Sequence, residues 1–285
     1  MIKSTIKQAL TAIALAAGAV SSANAAFVLQ SGDFKMTIDL YDSATTFYSA
    51  NCASVAGCNA VSTPAPGSIG SVNPSADTMG IFSIASITRL SDDSQYFTRA
   101  VDGYLTGIFG NLSDYNVTVQ GTTTSALAIG GTFSVFQNVA NYNSNLGPAV
   151  VAGSKDLNAD LYPGISGGTL VLTGAFVPGV IAGDTTTTFS TTYNNSSIIG
   201  GSGGYLDVTG GLWQDDFDTN GQTDLNGVGR DLSASFTFQP TANATGKGWT
   251  VQSTGDIYGA VPEPGALALI ALALIGAGAA TRRKV

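Results

Sequence analysis

Apolar residues recur at every second position over much of the chain. Phe34, Met36, Ile38 and Leu40 alternate with Lys35, Thr37, Asp39 and Tyr41, and Leu232, Ala234, Phe236 and Phe238 alternate with Ser233, Ser235 and Thr237. Leu170, Leu172, Gly174 and Phe176 repeat the pattern. A period of two places one apolar set on a single face of a half-buried strand. The same reading predicts strands at 81–89, 104–109, 115–120, 132–137, 186–193, 205–209 and 249–252, with Gly, Ser, Thr and Asn crowding the gaps. No internal stretch has a convincing helical period. About ten or more short strands predict one all-β domain, an antiparallel sandwich or an irregular barrel. The pieces Gly103-Tyr104-Leu105, Gly130-Gly131-Thr132-Phe133, Gly167-Gly168-Thr169-Leu170 and Gly204-Tyr205-Leu206 read as strand openings, because their uneven spacing excludes a solenoid repeat. Residues 51–76, rich in Ser, Pro and small side chains, read as a long surface loop.

Two segments break the pattern. Near the N-terminus Lys3 and Lys7 precede an apolar run, Ala9 to Val20, and Ala23-Asn24-Ala25 supplies the small residues that signal peptidase accepts. Residues 1–25 are therefore expected to be a signal peptide, cut after Ala25. At the other end Pro262, Glu263 and Pro264 hold the backbone extended, so a helix can begin only beyond Pro264. From Gly265 to Ala280 no side chain is charged. These residues would rise about 24 Å as a helix, slightly less than a bilayer core of about 30 Å. Arg282, Arg283 and Lys284 follow, and the positive-inside bias places them in the cytoplasm with everything upstream outside. This tail resembles the PEP-CTERM sorting signal of Gram-negative bacteria. The resemblance implies cleavage by an exosortase, transient anchoring in the inner membrane, and delivery to the cell surface or extracellular matrix. The expected organisation is a signal peptide at 1–25, a secreted domain at 26–261 and a sorting signal at 262–285.

Between the two ends the body carries Lys35, Arg89, Arg99, Lys155, Arg230 and Lys247 against eighteen aspartates. Such an acidic surface repels nucleic acid. Glu263 is the one glutamate, and the chain has no histidine. Cys52 and Cys58, in an exported chain, are expected to form a disulfide, whose small loop would stabilise by roughly 2 kcal/mol. A zinc site would lack further ligands.

Asp216, Asp218, Asn220, Gln222 and Asp224 place oxygen-bearing side chains around Gly221 with the spacing of the first three-quarters of a calcium loop. Position twelve, however, is Gly227, so a distant acid such as Asp231 or Asp207 would have to complete the shell. Calcium is the one cofactor the sequence suggests, and the competing reading is an Asp/Asn/Gly-rich turn with solvated carboxylates. The pairs Asp92-Asp93 and Asp215-Asp216 make no glycosidase dyad, since adjacent strand residues point to opposite faces. With no histidine to serve as a general base, catalysis, for instance by a secreted glycan hydrolase, is not expected. A binding module would use Trp213 and Trp249 against sugar rings, with calcium assisting. The favoured expectation is a structural or adhesive matrix component. The body segments GGTLVLTGAFV (167–177), GGYLDVTGGLW, FDTNGQTDLNG and DLSASFTF resemble the flocculation-associated members of the PEP-CTERM group. That resemblance implies a partner in exopolysaccharide and a role in biofilm.

Overall fold

The computed structural model describes residues 31–44, 47–49, 58–60, 78–143, 150–151, 154–155, 164–165, 167–194, 197, 199–239 and 251–261. Ala23, Ala25, Cys52, Trp249, Pro262, Glu263, Pro264, Arg282, Arg283 and Lys284 lie outside the described residues, as do both expected terminal helices.

In chain order the strands are β1 (Gly32–Ala44), β2 (Phe47–Ser49), β3 (Cys58–Ala60), β4 (Thr78–Arg89), β5 (Gln95–Thr98), β6 (Tyr104–Gln120), β7 (Thr123–Asn138), β8 (Val150–Val151), β9 (Ser154–Lys155), β10 (Thr169–Val177), β11 (Phe189–Asn194), β12 (Gly200–Gly210), β13 (Gln222–Thr223), β14 (Gly229–Arg230), β15 (Leu232–Gln239) and β16 (Val251–Val261). Of the two expected architectures, the chain forms the barrel. The strands β1, β4, β6, β7, β10, β12, β15 and β16 follow one another around it, each antiparallel to its neighbours. Closure comes from β1, which pairs with β4 from Phe34↔Arg89 to Ala44↔Thr78 and with β16 from Gly32↔Val261 to Asp42↔Val251.

Two staves are built from two strands each. Along β7, Ala175 of β10 faces Thr132 and Phe189 of β11 faces Ala128, so β11 continues the line of β10 after the connection 178–188 has stepped out. Along β4, β5 ends opposite Ser86 and β6 resumes opposite Ile84, and the turn between them is the excursion.

The inward row of β1, Phe34, Met36, Ile38 and Leu40, is buried as its alternation predicts, and so are Leu232, Ala234 and Phe238 of β15. In β10 the register shifts between Leu170 and Leu172, which leaves Leu170 39% exposed and buries Val171 instead. A β-bulge inserts one residue and flips the side chains beyond it. Phe rings from neighbouring strands lie over glycines: a Cβ on Gly107 would strike the Phe82 ring, and one on Gly255 would strike Phe236. Phe109, Phe133 and Phe189 surround Phe176 at ring-centroid distances of 6.4, 6.5 and 5.5 Å. An eight-stranded barrel is just wide enough to be filled by side chains, and these rings help fill it.

A second apolar cluster sits on the outer wall. Tyr41, Met79, Ile81 and Ile108 point outward from β1, β4 and β6, and Tyr142 and Ile165, from the connection after β7, cover them. Thr106 Oγ1 donates to the Gly164 carbonyl at 2.7 Å, and Asn138 Nδ2 to that of Ile165 at 3.1 Å, fastening the cover. Elsewhere the outer wall is polar: Arg99 meets Asp39 at 2.7 Å, and Thr37 Oγ1 donates to Asp256 at 2.9 Å.

Candidate functional site

The acidic segment singled out in the sequence begins as a plug. After β12 the chain makes one helical turn, Gln214–Phe217. Residues 213 and 217 are four apart and so share a face. Phe217 is fully buried, with its ring 5.2 Å from Phe34 in an edge-on contact, and Trp213 stacks on it at 6.2 Å. Phe34 is the first inward residue of β1, so the turn stoppers the barrel end where Gly32 and Val261 pair. Trp213, considered as a sugar platform, is 8% exposed and belongs to the core.

The residues proposed for calcium stand in different surroundings. Asp216, Asp218 and Asn220 face solvent, the Gln222 side chain accepts from Ser233 Oγ at 3.2 Å, and Asp224 is buried. Among the described residues no three His, Cys, Asp or Glu groups stand close enough to hold a metal ion.

What organises the segment is a pair of buried carboxylates. Asp231 accepts the backbone N–H groups of Thr219 and Asn220, each at 2.8 Å, on one oxygen and that of Val208 at 2.7 Å on the other. Asp224 accepts the N–H groups of Asn226 and Val228 at 2.8 and 2.9 Å, and Nε of Arg230 at 2.8 Å. Burial alone would push the Asp224 carboxyl up; the Val228 N–H, the guanidinium and the Asn226 N–H outweigh it and hold the group below the ordinary carboxylate range.

Arg230 also donates from Nη1 to Asp207 on the outer face of β12 at 3.0 Å, and from Nη2 to the carbonyl of Pro178 at 2.8 Å. The excursion 178–188 is thereby locked to the hairpin β13–β14. Asn226 extends the contact, accepting from the Gly183 N–H at 2.6 Å and donating to the Asp184 carbonyl at 2.9 Å. Asp184 gathers its own turn: Thr186 and Thr187 give it their hydroxyl and backbone hydrogens. Burial raises its carboxyl, but those donors prevail and set it at about 2. Sequence reasoning named Asp207 and Asp231 as remote ligands and missed Arg230 altogether. A lone arginine beside Asp231 in so acidic a body was the available signal.

These groups make a structural clamp, in which Asp224, Asp231 and Arg230 each hold several partners. The functional information lies next to it, where β16 leaves the barrel. Among the described residues no helix is long and apolar enough to cross a membrane; the apolar run 265–280 follows them. Residues 260–284 match the family model described as the PEP-CTERM protein-sorting motif. No curated protein and no solved structure matches the chain. The chain therefore carries the PEP-CTERM protein-sorting motif, which indicates an exosortase-processed surface protein, and the motif begins inside the last strand of the barrel.

Proposed function

We propose that the barrel is a structural or adhesive component of the extracellular matrix, serving cell aggregation or biofilm. The observation that carries this reading is the sorting motif joined without a linker domain to a barrel whose interior is filled by its own side chains. A filled barrel offers its outer wall for contact. That wall combines hydroxyls with paired charges, such as Lys35 with Asp256 and Arg99 with Asp39, which suits wet, hydrogen-bonded contact with a polysaccharide. Signal peptidase at the N-terminus and exosortase at the C-terminus are the processing partners in this reading.

The test compares producing cells with and without the gene, and with and without the cognate exosortase. Loss of the gene is expected to reduce cell aggregation, and loss of the exosortase to leave a heavier, membrane-held form. Unchanged aggregation and matrix composition in the gene deletion would overturn the adhesive role while leaving the sorting intact.

A further inference from the structure

The register of β1 and β16 places both ends of the strand sequence at one end of the barrel. Gly32 pairs with Val261, so the chain enters the first strand and leaves the last at the same end. Six residues separate Gly32 from the expected cleavage after Ala25, and Pro262, Glu263 and Pro264 separate Val261 from the apolar run beginning at Gly265. The four steps from Val261 to Gly265 reach at most about 14 Å. That run is shorter than the hydrocarbon core, and the headgroup layer adds about 6 Å more on each side, so most of the spacer is consumed in crossing it. Little slack is left between the barrel and the lipid.

The same end presents apolar side chains to the outside. Leu90, whose N–H donates to the Asp33 carbonyl at 2.9 Å beside Gly32, is 47% exposed. Leu212, just before the plug, is 69% exposed, and Val139, after β7, is 99% exposed. Asp92, Asp93, Asp215, Asp216 and Asp218 stand exposed in the same connections, and they oppose contact with anionic lipid.

We propose that, while the tail is attached, the end of the barrel bearing Gly32 and Val261 rests on the outer lipid surface with Leu90, Val139 and Leu212 against it, and that the tether rather than intrinsic affinity holds it there. The inference rests on the sorting reading above. A short tether raises the local concentration of lipid at this end enough to hold weak apolar contacts. Once the tail is cut, the aspartates favour departure, so the geometry that presents the chain for processing also releases it.

The full chain, reconstituted into phosphatidylcholine and phosphatidylglycerol vesicles, provides the test. A photoreactive benzophenone residue replaces either Leu212 or Ile199, the latter exposed in a connection at the opposite end. Lipid crosslinking is expected at least several-fold stronger from position 212. Equal crosslinking, or crosslinking from neither position in chains that float with the vesicles, would overturn the orientation and leave the sorting reading standing. Failure to float would sink membrane anchoring itself, and the orientation with it. A flexible insert of about fifteen residues between Val261 and Pro262, long enough to span tens of ångström, should lower crosslinking from position 212. Unchanged crosslinking there would overturn the dependence on the tether.

Discussion

Arg230 joins three segments that are far apart in sequence, since its guanidinium serves Pro178, Asp207 and Asp224 at once. Its side chain is 15% exposed and the Asp224 side chain 0%, so solvent cannot replace it at that carboxylate. Arg230→Ala is expected to destabilise by about 3 kcal/mol, because a buried charge loses its partner. Arg230→Lys should recover less than half of that loss, a single ammonium being unable to fork between three acceptors. Urea denaturation of the three proteins measures both. Ser253 is the opposite case: it is fully buried, points inward from β16, and its hydroxyl finds no partner among the described residues. Ser253→Ala should therefore raise stability, by about 1 kcal/mol, in the same titration. The partners of neither residue could be read from the sequence, because they lie on other segments of the fold. Leu170 shows the same limit: its alternation with Leu172 was regular, but a bulge decides which way it points.

At the level of elements, the plug and the clamp divide the work of holding one side of the barrel together. Phe217→Ala would empty a fully buried site between Phe34 and Trp213 and should destabilise by about 4 kcal/mol, read from the thermal or urea midpoint. Asp184 makes its excursion acid-sensitive. Its carboxyl is held at about 2 in the folded barrel, below its unfolded value, so the unfolded chain takes up the proton first. The stabilisation is fully present above about pH 4 and is lost as the pH falls toward 2. Asp184→Asn should flatten the stability profile between those values, and an unchanged slope would show that the threonine donors do not act through ionisation. Millimolar calcium should leave the melting temperature unmoved, since Asp224 faces Arg230 and Asp216 and Asp218 face solvent. The legibility of elements followed their inward rows. β1 and β15 place large apolar residues there and declare themselves; β16 places Ser253, Gly255, Ile257 and Gly259 there, because Leu40, Phe34, Phe236 and Leu232 already occupy the space. Its strand was predicted only as far as Gln252. In β7 and β12 the glycines read as strand openings lie inside longer strands for the same reason, Gly131 and Gly204 both packing against Phe176.

The whole molecule depends on its last strand. Sheet order follows chain order around the barrel, so each hairpin can form as it emerges, yet β1 waits for β16, more than two hundred residues later, to cover its second edge. Until then both edges of an open sheet expose unpaired N–H and C=O groups, and the rings of Phe34 and Phe236 lack the strand that runs between them. The sorting motif starts at Ala260, one residue before β16 ends. An apolar anchor placed there would reach the membrane only after the closing strand has passed through, when pairing with β1 can complete. Ending the chain at Gln239, before β16, should therefore give a protein that aggregates and lacks a cooperative unfolding transition. Ending it at Val261 should give a monomeric barrel as stable as the full chain. Size-exclusion chromatography and thermal melts of the two truncations decide the matter. A folded, cooperative monomer ending at Gln239 would show that β16 decorates the barrel instead of closing it, and would remove the link between the position of the motif and the completion of the fold.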